Sequence, residues 1–474
     1  MRYGSVWRKH TRLRRTLHNF RYRLIVHDGG RLAFCETTDR IIEALGIRTG
    51  RQRLDSTHIM SNIAALTRLG LFCETIRLFL RTLSRKHPEL SQKVPTVLLR
   101  RYLKEEGEAT SYEDTRSDAT HRRLGVCARD LYRLIDRLRG TAAEGMEEYR
   151  LMERLLREQC EISRKGGGRP AEDDDDAVEG SVPITLKKPG QVSPGSLQTP
   201  HDVTVTYSGH KGKGYEVQVA ETCDEDNITQ IITYAEPTPS SEDDVAVPEP
   251  FIDSLNERNI QPNELFADTK YGSGRNVFEA EMWGTELVSP VAGHRPCGTD
   301  ESQGDVSQRN STAADFQIDV LGDERAVCPA GMETIEEYEE LEAPERVELR
   351  FDEKVCRVCP LRLRCPVKYN DKLGVYVLEV DLIKANIERR RRAEASGEFR
   401  ERYAIRAGIE GTNSELKRAH GLGRLRVRGG ERVRLAVYLK ALACNLKRMV
   451  RALLEEKIPT VGVVAMEMPV PALG

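Results

Sequence analysis

From Ser61 to about Lys86 the apolar residues Ile63, Leu66, Leu69, Phe72, Ile76, Phe79 and Leu83 recur at spacings of three and four, which predicts an amphipathic helix. The same period returns at Leu124, Cys127, Leu131, Leu134, Ile135 and Leu138, and again from Tyr149 to Cys160, so residues 60–163 read as a helical block. Gly166 to Gly168, Pro170 and an acidic run then predict a linker, mobile to about Ser196. Beyond it the period drops to two. Tyr215, Val217 and Val219 alternate with Glu216, Gln218 and Ala220, and Ile228, Ile231, Ile232 and Tyr234 follow, which predicts a strand pair. A short helix is expected at Phe251–Arg258, and short strands at Glu264–Ala267 and Glu286–Val291. Strands alternating with helices give an α/β class. A polar stretch to Ala314 leads into a cysteine-bearing region. The pattern then reads as helix from Ile383 to His420, is broken by Gly421 to Gly430, and resumes over Glu431–Leu454 with Val433, Val437, Leu439, Leu442 and Leu446 as its stripe.

Length changes this picture little: 474 residues allow two or three domains. No run approaches the ~20 apolar residues of a membrane span, and the first 23 residues have no apolar segment of the signal-peptide kind, so membrane and secreted classes are excluded. Charge changes it more. The net charge of −2 conceals eight Arg or Lys and no acid in residues 1–23, and 18 Arg or Lys against six Glu in residues 389–451. Acidic blocks lie at Glu172 to Asp176 and from Glu333 to Glu348. Basic segments neutralise phosphates and release counterions, which makes nucleic acid the leading partner; a solvated helix face is the alternative.

The basic C-terminal stretch also holds Tyr403, Arg406, Glu410 and Lys417. On one continuous helix these offsets put all four side chains on a single stripe, where the carboxylate can hold a divalent cation while Arg and Lys grip a phosphate. An exposed helix with ordinary ion pairs would look similar. Eleven cysteines without an export signal argue for reduced thiols or metal ligation rather than disulfides. Cys356-x2-Cys359-x5-Cys365, with Cys328-Pro-Ala-Gly upstream, supplies four thiolates suited to tetrahedral Zn²⁺ at about 2.3 Å per ligand, the alternative being four reduced cysteines in a small polar subdomain. Cys35, Cys73, Cys127, Cys160, Cys223, Cys297 and Cys444 lack such partners, and those on apolar stripes read as small core residues. The loop Ser208 to Val217 offers Lys211 and Lys213 as weak candidates for DNA contact, and Asp173 to Asp176 read as a solvated linker.

Several stretches together resemble the DDE-type transposases of bacterial insertion sequences: "LDSTHIMSN" around Asp55, "FADTKYGSGRN" around Asp268, "IEGTNSELKRAHGLGRLRVRG" around Glu410, the Tyr-x2-Arg-x3-Glu-x6-Lys spacing, and the "CPAG…CRVCPLRLRC" cysteine cluster. The resemblance runs from about Thr16 to Arg451 and is closest to a subgroup with a helical N-terminal region and a four-cysteine insertion before the glutamate. That family carries a longer N-terminal helical domain than the stretch before Thr16. The resemblance implies an α/β, ribonuclease H-like catalytic core with a helical insertion and a small zinc-ribbon-like insertion. It divides the chain into a basic helical region and first catalytic strand (1–59), the helical block (60–163), an acidic linker (164–200), core strands (201–295), the cysteine-rich insertion (296–380), the glutamate helix with basic C-terminal helices (381–455) and a tail (456–474). The implied triad is Asp55, Asp268 and Glu410, separated by 213 and 142 residues and holding two Mg²⁺ or Mn²⁺ ions. The helical block interrupts the first two strands, which leaves Asp202 as an alternative first carboxylate, and capping of the following helix as an alternative role for Asp55. Further implications are structural Zn²⁺ on Cys328, Cys356, Cys359 and Cys365, and DNA contact by Tyr403, Arg406, Lys417, Arg424, Arg426 and Arg428. The partners are transposon terminal inverted repeats and target DNA, without membrane, bound by a homodimer in the nucleoid-associated cytoplasm. The function implied is DNA cleavage and strand transfer. A catalytically inactive, transposase-derived DNA-binding protein, or a nuclease without strand transfer, is the alternative.

Overall fold

The computed structural model describes residues 3–103, 117–162, 184–242, 244–291, 309–319, 323–341, 343, 345–394 and 396–455, with the side chains of 3–14, 117–119, 244 and 455 excepted. The acidic run Glu172 to Asp176, Cys297 and the tail lie outside these residues. Helices α1 (Tyr3–Val26) and α2 (Gly29–Leu45) precede strand β1 (Arg51–Ile59). Then come α3 (Arg68–Lys86), α4 (Pro88–Ser91), α5 (Thr96–Tyr102), α6 (Ser117–Leu138) and α7 (Glu147–Gln159). The chain continues through β2 (Gly212–Thr222), β3 (Ile232–Pro239), α8 (Pro248–Asn256), β4 (Glu264–Ala267), α9 (Gly274–Met282) and β5 (Glu286–Val288).

These strands form one mixed sheet in the order β3-β2-β1-β4-β5, with Thr206–Ser208 added at the start of β2. Strands β3, β2 and β1 run antiparallel, while β1, β4 and β5 are parallel. The parallel strands are covered on both faces, which is why Leu265, Phe266 and Ala267 form an unbroken apolar run rather than an alternation. This mixed α/β arrangement is consistent with a ribonuclease H-like core. Its two apolar layers lie on opposite faces of the sheet. One joins Ile59, Val217 and Val219 to C-terminal residues such as Ile409, Leu416, Val433 and Val437; the other joins Leu54, Ala220 and Leu265 to Phe251, Leu255 and Val277.

Helices α3 to α7, which fall between β1 and β2 in the chain, close over a core of their own built on Phe72, Phe79, Leu131 and Leu155. After β5 a second antiparallel sheet contains β6 (Arg346–Phe351) and β7 (Val375–Asp381), separated by α10 (Glu353–Arg357). Strand β7 runs directly into α11 (Leu382–Glu394), α12 (Gly397–Ala404), α13 (Ile409–Arg418) and α14 (Gly430–Glu455).

Three expectations are corrected. The helix expected from Ser61 begins at Arg68. Met60 and Asn62 instead bond in extended form to Gly423 and Val427, and the Thr67 hydroxyl accepts from Gly70 N to cap the helix. The linker expected to reach Ser196 is already ordered at Ile184–Leu186, which pairs with Cys160–Ile162, and Leu197 is buried in the core of the helical block. The single helix expected from Ile383 to His420 is three helices, with a 3-10 turn at Ile405–Gly408 between α12 and α13.

Candidate functional site

Asp55 sits in the middle of β1 and Asp268 directly after β4. The parallel register ends at Leu54 opposite Ala267, so one further residue along each strand sets the two aspartates side by side. Glu410 lies in the first turn of α13. All three carboxylates meet at one guanidinium: Arg406 Nη2 is 3.1 Å from Asp55 Oδ1 and 3.9 Å from Asp268 Oδ2, and Nη1 is 3.5 Å from Glu410 Oε1. Asn413 Nδ2 donates to Asp55 Oδ2 at 3.3 Å. Burial pushes the Asp55 carboxyl above its usual range against the opposing charge of Arg406, and the Asp268 charge adds to the upward push. The Glu410 side chain is 70% exposed, so the cluster opens to solvent on that side. The three carboxylates share one guanidinium but their oxygens do not all come within 4.8 Å of one another, so Arg406 holds them wider than a bound cation would draw them. As a set of oxygen donors, one of them desolvated and in need of a counter-charge, they are of the type that suits a hard divalent cation.

The turn that carries Arg406 is fixed from below. Arg53, two residues before Asp55 and on the same face of β1, donates from Nη1 to Ile405 O at 2.9 Å and from Nη2 to Glu221 Oε1 at 2.6 Å. Gly408 allows this approach, because a Cβ there would lie 1.9 Å from Arg53 Nη1. Glu221, on β2, has a wholly buried side chain and also accepts from Thr412 Oγ1 at 2.6 Å and from Arg448 Nη1 at 2.8 Å. Arg448 reaches on to Glu415 at 3.0 Å. Strands β1 and β2 and helices α13 and α14 are thus tied by one buried charge network, none of which the sequence reading singled out. A signal existed: Glu221 falls on the inward alternation of Val217 and Val219, and Arg448 follows Val437, Ala441 and Cys444 at helical spacing, so a buried acid faces a buried base. Replacing Glu221 by Gln leaves two cations in the network without their shared carboxylate and should cost ~3 to 5 kcal/mol. Denaturant unfolding checks this, and an unchanged midpoint would mean the network is not what ties α13 to the sheet.

The stripe expected from Tyr403 to Lys417 is interrupted by the 3-10 turn, so Tyr403 belongs to a different helix from Glu410 and stacks on Phe399 at 5.8 Å. Burial raises its hydroxyl pKa, and the charges of Arg406, Asp268 and Asp55 also act on it. Lys417 is held below its usual range by burial, with Glu216, Lys211 and Asp55 as its charged neighbours. Lys211 Nζ is 2.8 Å from Glu216 and 3.2 Å from Ser56 Oγ, while Lys213 donates to Leu66 O at 2.6 Å. Asp202 is not part of this cluster: its two oxygens accept from Ser61 Oγ, Thr204 Oγ1, Tyr215 OH and Gly429 N at 2.7 to 2.9 Å. It anchors the Gly-bounded arginine segment. Within that segment Leu425 is buried, whereas Arg424, Arg426 and Arg428 are exposed. Arg424 and Arg428 donate to Ile63 O and Asn62 O.

Cys328, Cys356, Cys359 and Cys365 line one cavity of ≈ 20 Å³ together with Ser311, Phe351 and Val367. Burial, followed by the charges of Cys328, Cys365 and Cys359, pushes the Cys356 thiol up to about 11. Burial raises Cys365 as well. Among the described residues three ligand atoms come within 4.8 Å of one another only at Glu415, His420 and Cys444, so the four sulfurs are spread wider than a bound tetrahedral ion would draw them. At that trio Glu415 is already paired with Lys447 and Arg448, and burial pushes the Cys444 thiol up to about 12. Cys73, Cys127, Cys160 and Cys223 are buried core residues and Cys35 is half-buried.

Two adjacent parallel strands thus carry Asp55 in the middle of one and Asp268 directly after the other, and Glu410 faces them from a later helix. The family model described as "Transposase DDE domain" matches residues 327–450, a span that contains the four cysteines, Arg406 and Glu410 and stops short of Asp55 and Asp268. The match supports a DDE-type transposase, and with it a DNA-binding enzyme of transposition. No curated protein and no solved structure shows significant similarity to the chain. No helix among the described residues is long and apolar enough to cross a membrane.

Proposed function

We propose that the chain is a DNA transposase of the insertion-sequence type, with Asp55, Asp268 and Glu410 as its catalytic carboxylates. The observation that carries this reading is the meeting of the three carboxylates, far apart in sequence, at the Arg406 guanidinium. Two divalent cations, Mg²⁺ or Mn²⁺, held by these residues would supply the positive charge that activates the attacking oxygen and stabilises the leaving one. Asn413 orients Asp55 through its amide, and the network of Arg53, Glu221 and Arg448 holds Glu410 opposite it. Arg406, Lys417 and Tyr403 flank the carboxylates and bind the phosphate being attacked, while Arg424, Arg426 and Arg428 hold the backbone further along. In cleavage, water attacks phosphorus and the 3′ oxygen leaves. In strand transfer the freed 3′ hydroxyl attacks a target phosphodiester, one P–O bond forming as another breaks. The helices between β1 and β2 and the cysteine-bearing sheet before α11 are then insertions into a ribonuclease H-like core, the second of them closed by structural Zn²⁺. Two DNA ends must be joined, so the working unit is a homodimer on terminal inverted repeats, in the nucleoid. The test is incubation with a supercoiled plasmid carrying the flanking inverted repeats: Mg²⁺-dependent 3′ hydroxyl ends and joined products are expected. Sequence-independent binding without cleavage would favour the inactive DNA-binding alternative.

The arginine segment gives a separate expectation. Each phosphate contact contributes about −0.9 to the slope of log affinity against log salt. Changing Arg424, Arg426 and Arg428 together to Ala should flatten that slope by up to about three units and weaken binding to all sequences alike. An unchanged affinity and slope would place the DNA elsewhere.

A further inference from the structure

Arg406 stands where a cation is needed. Its guanidinium is within ion-pair distance of three separate carboxylates rather than locked onto one, and its side chain is 18% exposed. The buried Nε has no hydrogen-bond partner. A guanidinium built into a permanent structural bridge would place two donors on one carboxylate and satisfy the rest, as Arg53 does with Nε and Nη2 both on Glu221 Oε1 and Nη1 on Ile405 O. Arg406 instead projects from the 3-10 turn between two helices, and the adjoining Glu410 side leads to solvent. A cation entering among Asp55, Asp268 and Glu410 would meet a fixed positive charge at their centre, since like charges in a partly desolvated site repel strongly.

Resting on the transposase reading, we infer that Arg406 is an exchangeable counter-ion: in free protein it neutralises the three carboxylates, and a DNA phosphate draws it outward so that divalent cations can replace it. Arg406 is then a positioning residue that couples DNA binding to cation binding. Linkage makes the effect reciprocal, so DNA raises cation affinity by the same factor by which the cation raises DNA affinity. Premature loading of the site is restrained in free protein, and the assembled site forms on DNA.

The test measures Mn²⁺ binding by calorimetry and by the electron paramagnetic resonance signal of free Mn²⁺, with and without a short mixed-sequence duplex. Cleavage does not enter the readout. In wild type, the duplex should tighten Mn²⁺ binding by a factor within the roughly 5- to 150-fold range typical of coupled sites. In Arg406→Gln, Mn²⁺ should bind free protein about tenfold or more tightly, and the factor gained from the duplex should fall close to one. Arg406→Lys keeps a positive charge near the carboxylates and should restore weak free-state binding together with the gain from DNA. Far-UV circular dichroism verifies folding of both variants, and the Lys variant answers the question should the Gln variant misfold. Loss of Mn²⁺ binding in Asp268→Asn verifies that the signal comes from this site. If Arg406→Gln retains the full gain from DNA, or binds Mn²⁺ in free protein no better than wild type, Arg406 is a fixed structural cation and the inference is wrong while the transposase reading stands. If wild type binds neither duplex nor Mn²⁺ through Asp268, the transposase reading itself fails and takes this inference with it.

Discussion

Asp268→Asn is expected to lower DNA strand cleavage by about a thousandfold or more, a loss of ~4 kcal/mol of transition-state stabilisation, without unfolding the chain. The substitution keeps shape and removes charge. Asp268 is on a short turn that survives the change: its backbone carbonyl accepts from Tyr271 N and from Ser289 Oγ, and its side-chain Oδ1 accepts from Lys270 N at 2.6 Å, a bond an Asn carbonyl oxygen can also accept. Removal of the negative charge loosens the grip on Arg406, which lies 3.9 Å away, and takes an anionic ligand from any cation held with Asp55. The two effects separate in experiment: the unfolding midpoint should move by little, because Asp268 is partly exposed, whereas the cleavage rate should collapse at every Mg²⁺ concentration. Wild-type rates in the variant would remove Asp268 from the catalytic set and leave the convergence around Arg406 as an ordinary ion-pair cluster.

The strands were readable in sequence where apolar and polar residues alternate, as at Tyr215 to Ala220, although that strand is buried on both faces, and where burial on two faces makes a short apolar run, as at Glu264–Ala267. The helices α3, α6 and α7 carry a clean period because each buries one stripe in a shared core. What could not be read was set by contacts distant in sequence. Asn62 and Met60 are extended because Gly423 and Val427 pair with them, not because of local propensity. The break between α12 and α13 is fixed by Arg53 pressing on Ile405 and Gly408. Within the candidate site, Arg406 and Glu410 were legible as spaced residue types and Asp55 and Asp268 only through the family resemblance; periodicity marks Glu221 and Arg448 each as inward-facing, but no spacing rule pairs residues 53, 221, 412 and 448. Asp202 looked like a possible ligand by position, and only its four hydrogen-bond donors reveal it as an anchor.

Loss of zinc is the second large effect expected, and it should reach the carboxylate site from outside it. Cys328 opens a tight turn in which Gly331 N bonds back to Cys328 O, and Gly331 takes a φ of +80°, a conformation that favours glycine. Cys356 is on α10, capped by Asp352, and Cys359 follows in the next turn with its N bonded to Cys356 O. These turns aim four thiols at one cavity beside Phe351. As free thiols they gain little, and ionising Cys356 or Cys365 is opposed by burial and by the neighbouring cysteines. One dication reverses that balance, and structural zinc in small sites binds with an apparent ~10 to 16 kcal/mol that appears as folding free energy. The purified protein should therefore contain one zinc per chain. Cys356→Ser should lose it, lower the unfolding midpoint and expose the sheet of β6 and β7 to proteolysis. Because β7 runs without a break into α11, and α11 into the elements bearing Arg406 and Glu410, DNA cleavage should also fall. Full zinc loss with unchanged unfolding and cleavage would mean that the core of Phe316, Val347, Leu349 and Val380 holds this sheet without a metal, and substoichiometric zinc in a normally folded wild type would leave the four cysteines as reduced thiols.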